Sequence, residues 1–197
     1  MSGALAWLLV ALGLGVVVVR RRSLAVTLVT VQALVLAVRA HDEAGAAAAL
    51  AVRAVALGVL LLLVVSRTRE PRPIPAGVAP MLRGGLAVAL ALALTWLIPT
   101  LGLASRNAER GVLALVAFGL IAVATRRATL FQVLGIVLVE NGLALAALEL
   151  PSGSSAAIEL GVAFDLTLIA LVAVVFHEKI FAEFGGGDSS VLRSLRD

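Results

Sequence analysis

Glu140 and Asp165 are the residues through which this chain could do chemistry, because each stands near the centre of a long apolar run. An acidic side chain at mid-bilayer costs on the order of 2.5–3.5 kcal/mol even on insertion-based scales, so one kept there must face protein or internal water. At about 1.5 Å per helical residue, Glu140 lies roughly 15 Å below Leu150 and Asp165 roughly 12 Å below Ala157. Pro151, Ser152 and Gly153 make a tight turn between the two runs, which predicts antiparallel neighbours with the carboxyls at nearly equal depth. At least one of the pair is expected to exchange protons near neutral pH, as a relay group must. The structural alternative is a protonated or hydrogen-bonded helix contact. The matched depth of two acids favours the relay.

Arg53, in the middle of another apolar run, is the third anomaly. It either snorkels to the outside face, a reach of about nine residues of helix, or serves as a cationic link or counter-ion to a buried carboxylate. Gln132, Ile136, Glu140 and Ala144 are four residues apart and form one stripe of a helix. Asn141 lies about 100° from Glu140 and is placed to bond a neighbouring helix. Gly135 and Gly142 occupy a different face, where small residues permit close helix contact. His177, with Glu178 and Lys179, marks the end of the last run, either as a proton entrance or as a solvated helix end. Gln32, Thr95 and Trp96 read as packing or interface residues, and Glu149 and Glu159 as solvated acids near helix ends.

These residues must be positioned by membrane helices. The 197 residues are 61% hydrophobic and only 14% charged, with a mean hydropathy of +1.11. A soluble domain carries about 25% charged residues, and one core could not hide this much Leu, Val and Ala. With no cysteine and two histidines, the chain has no thiolate zinc site, iron–sulfur cluster or disulfide. No cofactor is expected on it. The sequence pI of about 11.2 does not imply nucleic acid, because the net charge is only +4 and the basic residues sit in short clusters between apolar runs. Such clustering is the signature of membrane orientation.

A spanning helix needs roughly 20 apolar residues. Seven segments come close, at 3–19, 23–38, 44–65, 84–102, 111–125, 128–150 and 157–176, the first, second and fifth being short unless interfacial residues are counted in. The first lacks a basic region before it and is expected to be a retained helix rather than a signal peptide. With the N-terminus outside, twelve basic residues fall on the cytoplasmic side and three outside, leaving Arg53 within the bilayer. The expectation is therefore an all-α, polytopic membrane helix bundle of about seven spans, N-out and C-in, multi-pass in the cell (cytoplasmic) membrane. Residues 1–110 form a four-helix region with a stiff Pro-rich cytoplasmic linker at 66–83. Residues 111–176 form a three-helix module, and 177–197 a cytoplasmic tail.

The run Phe131 to Leu143, FQVLGIVLVENGL, resembles the Glu-Asn-Gly helix of the hydrogenase-4 component E membrane subunits. Its Glu-Asn-Gly is Glu140, Asn141 and Gly142. The segment Glu159 to Asp165, ELGVAFD, and the terminal LRSLRD resemble that family's last helix and C-terminus; the first 110 residues match only in character. The family is related to the complex I subunit K (chain 4L), which corresponds here to spans five to seven. That subunit has one mid-membrane glutamate in its second helix, matched by Glu140, and another in its third, where this chain has Asp165. The shorter side chain shifts the carboxyl by about one bond. Arg53 stands where a basic residue of the hydrogenase-like group is expected. The resemblance implies a non-redox membrane subunit of a hydrogenase-4, formate hydrogenlyase or related complex-I-like assembly. Its partners would be other membrane subunits, including antiporter-like ones, with redox centres in a peripheral arm, and Glu140, Asp165 and Arg53 would serve proton translocation. A scaffold subunit without its own ion path, in the same complex or in a cation/proton antiporter-like assembly, is the alternative.

Overall fold

The structure is a computed structural model and describes residues 3–67, 78–98 and 100–150. Asp165, His177, the expected seventh span and the C-terminal tail lie outside the described residues. Within them the chain is all-α, with six α-helices and one short 3-10 turn. They are α1 (Gly3–Val18), α2 (Arg22–Arg39), α3 (Ala44–Arg67), α4 (Pro80–Leu97), α5 (Arg106–Thr125) and α6 (Thr129–Leu148). Five of them, α2 to α6, are long and apolar enough to cross a membrane, and α1 is a shorter apolar helix. This is the make-up of a multi-pass membrane protein.

Local chemistry explains where the helix ends depart from the apolar runs. The expected linker at 66–83 is shorter, because α4 begins at Pro80. Proline is tolerated in the first helical turn, where its missing N–H would have had no partner. At its far end α4 stops at Leu97 and not at 102: Ile98 is extended (φ −105°, ψ 97°), as a residue preceding a proline prefers. Helix α5 starts five residues before its apolar run, since Ser105 accepts from the Ala108 N–H at 3.2 Å and so caps it. Glu109, in that first turn, accepts from the Leu101 and Gly102 amides at 3.0 and 3.1 Å.

The helices run up and down. The C-terminal end of α1 meets Arg126 after α5, and Arg39 at the end of α2 meets Glu149 at the end of α6. Helix α2 packs on α1, α3 and α6, while α5 packs on α1, α4 and α6. The tightest seam joins α5 and α6. A Cβ on Gly135 would lie 2.8 Å from the Gly119 carbonyl oxygen and 3.0 Å from the Val123 nitrogen, and one on Gly142 would lie 3.4 Å from the Val112 oxygen. Backbone therefore touches backbone there, as small residues allow in membranes. Phe118, Leu134 and Leu138 fill the core beside the seam, each at most 2% exposed.

The alternation sorts the charges by end. Arg20, Arg21, Arg22, Arg67, Arg83, Arg126 and Arg127 gather at one end, with no carboxylate among the described residues there. Asp42, Glu43, Glu109 and Glu149 lie at the other, with Arg39, Arg106 and Arg110.

Candidate functional site: a polar layer through four helices

Four side chains from three helices meet in the middle of the bundle. Arg53 of α3 is 2% exposed, and Gln32 of α2 and Asn141 of α6 are fully buried. The Arg53 guanidinium forks onto two consecutive residues of α6. Its Nη1 donates to Glu140 Oε1 at 3.2 Å, and its Nη2 donates to Asn141 Oδ1 at 2.5 Å. The 100° step between neighbouring helical residues spreads the two acceptors to match the planar fork.

The polarity of the layer follows from this fork. A guanidinium only donates, so Asn141 must turn its oxygen toward it and its NH₂ away. Asn141 Nδ2 then donates to Gln32 Oε1 at 2.8 Å, which leaves the Gln32 NH₂ to donate to the Leu9 carbonyl of α1 at 2.8 Å. That carbonyl already sits in the α1 ladder, where the residue one turn on is Gly13. A Cβ at Gly13 would stand 3.2 Å from Gln32 Nε2, so the glycine keeps the approach open. The result is a one-way chain of donors, each polarising the next, that ties α3, α6, α2 and α1 together.

Only the Arg53–Glu140 arm can change protonation. Amides do not titrate, so Asn141 holds Arg53 and Gln32 holds Asn141 without either carrying a proton itself. Glu140 is the less enclosed of the ion pair, its side chain 16% exposed against 1% for Arg53. The residues expected from sequence thus divide. Arg53, Glu140 and Asn141 come together; Gln132 instead donates to the Arg126 carbonyl at 3.1 Å, two turns from Glu140. Asp165 and His177 lie outside the described residues. Of the two readings open for Arg53, the structure displays the counter-ion and not the snorkel.

Gln32 is the member that sequence reading left among packing residues. Its signal was an amide alone in an apolar run, a residue type that needs a partner when buried. Glu149 corrects the expectation of a solvated acid. It is 1% exposed and pairs with Arg39 through Nη2 at 2.9 Å and Nε at 3.2 Å, locking α2 to α6. At the opposite end Arg126 is also structural: its Nη2 donates to the Val17 carbonyl at 2.9 Å and to that of Val19, satisfying the exposed C-terminus of α1. Its guanidinium lies 3.8 Å above the Phe131 ring. Burial, and then the charges of Arg83 and Arg20, pull the Arg126 pKa down to about 9. Among the described residues no three side chains of His, Asp or Glu converge as a metal site requires.

The chain is 32% identical over 91 residues to a Mycobacterium tuberculosis protein named Uncharacterized protein Rv0085. The match takes in 46% of this chain and 41% of that relative, so the chain spans well under half of the relative's length. No family model and no solved structure matches it.

Proposed function

We propose that this chain is a non-redox membrane subunit of a complex-I-like respiratory or hydrogenase assembly, of the hydrogenase-4 or formate hydrogenlyase type. In this reading Glu140 is a proton-relay carboxyl whose occupancy is governed by Arg53. The observation that carries it is the Arg53–Glu140 contact at 3.2 Å in the middle of the bundle. Ionisable pairs at that depth are costly and mark proton paths in membrane proteins. The likeness of the Glu140-Asn141-Gly142 helix to the hydrogenase-4 component E subunits supports the same assignment. The cluster of seven arginines at one end supports an N-out, C-in orientation in the cytoplasmic membrane,. Asp165 is the proposed second relay acid, and no cofactor is assigned to this chain.

A relay works when electron transfer elsewhere shifts the field at the pair: Glu140 takes up a proton, its hold on Arg53 weakens, and the proton leaves when the contact re-forms. The test is Glu140→Gln in the intact complex in sealed vesicles. Electron-transfer-driven proton movement is expected to fall by roughly a hundredfold or more, in the range typical of a lost acid–base group, with the subunit complement unchanged.

One observation favours a scaffold instead. The Asn141–Gln32–Leu9 arm is fully hydrogen-bonded and joins helices without any titratable member. Undiminished proton movement in an assembled Glu140→Gln complex would give the whole layer to that role.

A further inference from the structure

Arg83, in the first turn of α4, has no evident place in this scheme. The residue is 0% exposed, and none of its three guanidinium nitrogens has a hydrogen-bond partner among the described residues. A guanidinium enclosed without an acceptor is held at high cost and calls for an anion. Its surroundings make the demand greater. Helix α4 begins against the end of α1, where a Cβ on Gly84 would lie 3.0 Å from Val18 Cγ2. The same end of α1 is capped by Arg126 on the Val17 and Val19 carbonyls and is followed by Arg20, which is exposed. Three like charges crowd one another there, and no carboxylate among the described residues shares that end of the bundle.

An apolar groove lies beside this cluster, reaching Gly84, the residue next to Arg83, and Val18 at the end of α1. It lies between α1 and α4, has a volume of about 490 Å³, and is walled by Leu14, Val18, Met81, Val88 and Leu92. Gly85 opens it, since a Cβ there would meet nothing within 4 Å. The groove shares Leu14, Val88 and Leu92 with a second apolar cavity of about 460 Å³ between α1, α4 and α5. From Met81 to Leu92 the α4 wall rises through eleven residue steps, about 16 Å, which is close to one leaflet of a hydrocarbon core about 30 Å thick. Met81 and Leu82, just before Arg83, are 85% and 59% exposed, so the cluster lies one side chain below the surface.

We propose that the cytoplasmic end of the α1–α4 seam is a binding site for an anionic phospholipid, with the headgroup phosphate on Arg83 and Arg20 and one acyl chain along the groove. Charge alone would suit an acidic segment of another protein, but a groove of leaflet depth beside the cations suits a lipid.

The test is thermal unfolding of the full chain in a non-ionic detergent with added phosphatidylglycerol, phosphatidylcholine or inorganic phosphate. Phosphatidylglycerol is expected to raise Tm by roughly 4 °C, as a ligand bound only by the folded state does, and the other two to leave it unchanged. Arg83→Gln and, independently, Gly85→Leu, which fills the groove on an exposed helix face, are each expected to remove that increment. An equal effect of phosphatidylcholine, reproduction of the shift by phosphate alone, or persistence of the increment in either variant overturns the lipid site. So does the absence of any increment, the result expected when an acidic side chain of another protein is the counter-ion.

Discussion

Arg53 and Glu140, 87 residues apart in the chain, meet at 3.2 Å in the interior of the bundle, with Asn141 taking the second arm of the guanidinium. Because Arg53 is buried and Glu140 largely enclosed, the two halves are not worth the same alone as together. Removing either partner costs the other an ion-pair contact in the interior. Arg53→Ala is expected to cost about 3–5 kcal/mol, and a double-mutant cycle with Glu140→Ala to show a coupling above about 1 kcal/mol. Denaturant unfolding in detergent measures both, and additive losses would deny the pair any energetic reality.

The amide arm predicts a smaller and shared effect. Gln32→Leu and Asn141→Leu each break the chain of donors that ends on Leu9. Hydrogen bonds between membrane helices contribute about 0.6 kcal/mol on average and up to about 1.7. Each variant is therefore expected to lose about 1–2 kcal/mol, and the double variant little more than either alone, since both cut the same chain. Full additivity in Tm or unfolding free energy would contradict the arrangement.

The α5–α6 seam predicts a contrast between two glycines. Gly135→Ala forces a Cβ to within 2.8 Å of the Gly119 carbonyl, whereas Gly85→Ala meets open space. Overpacking of this kind costs about 1–3 kcal/mol, while replacing an exposed helical glycine by alanine stabilises by about 0.5–1 kcal/mol. The two variants should shift Tm in opposite directions.

Arg39 and Glu149 predict that the ends of α2 and α6 are held together in part by their ion pair. The Glu149 side chain has no exposed surface, and Arg39 is 27% exposed. Arg39→Ala should cost about 2–4 kcal/mol by leaving a buried carboxylate short of its donor, and Arg39→Lys, which cannot reproduce the fork, should recover only part of it. Hydrogen exchange should rise first at the C-terminal turns of α2 and α6, the two helices the pair joins. An unchanged exchange pattern would remove the pair from the account.

Hydropathy read along the chain was enough to find α1 to α6, because the demand for about 20 apolar residues is a local property that any window can display. It also located Arg53 and Glu140, since an ionisable residue stands out in a run of Leu, Val and Ala. The helix ends were less legible. Ser105 extends α5 and Pro80 starts α4 through capping and steric rules that override apolarity.

The partners were decided by the tertiary structure alone. Which residue faces Glu140 depends on the relative rotation and depth of α3 and α6, two helices with two others between them in the chain, and no local pattern encodes that. The same cause hid Gln32, whose worth lies in Asn141 on one side and Leu9 on the other, and Glu149, whose burial beside Arg39 contradicts its place at a helix end. Composition made this a chain of lipid-facing helices; the angles at which those helices turn toward one another chose which polar groups meet inside.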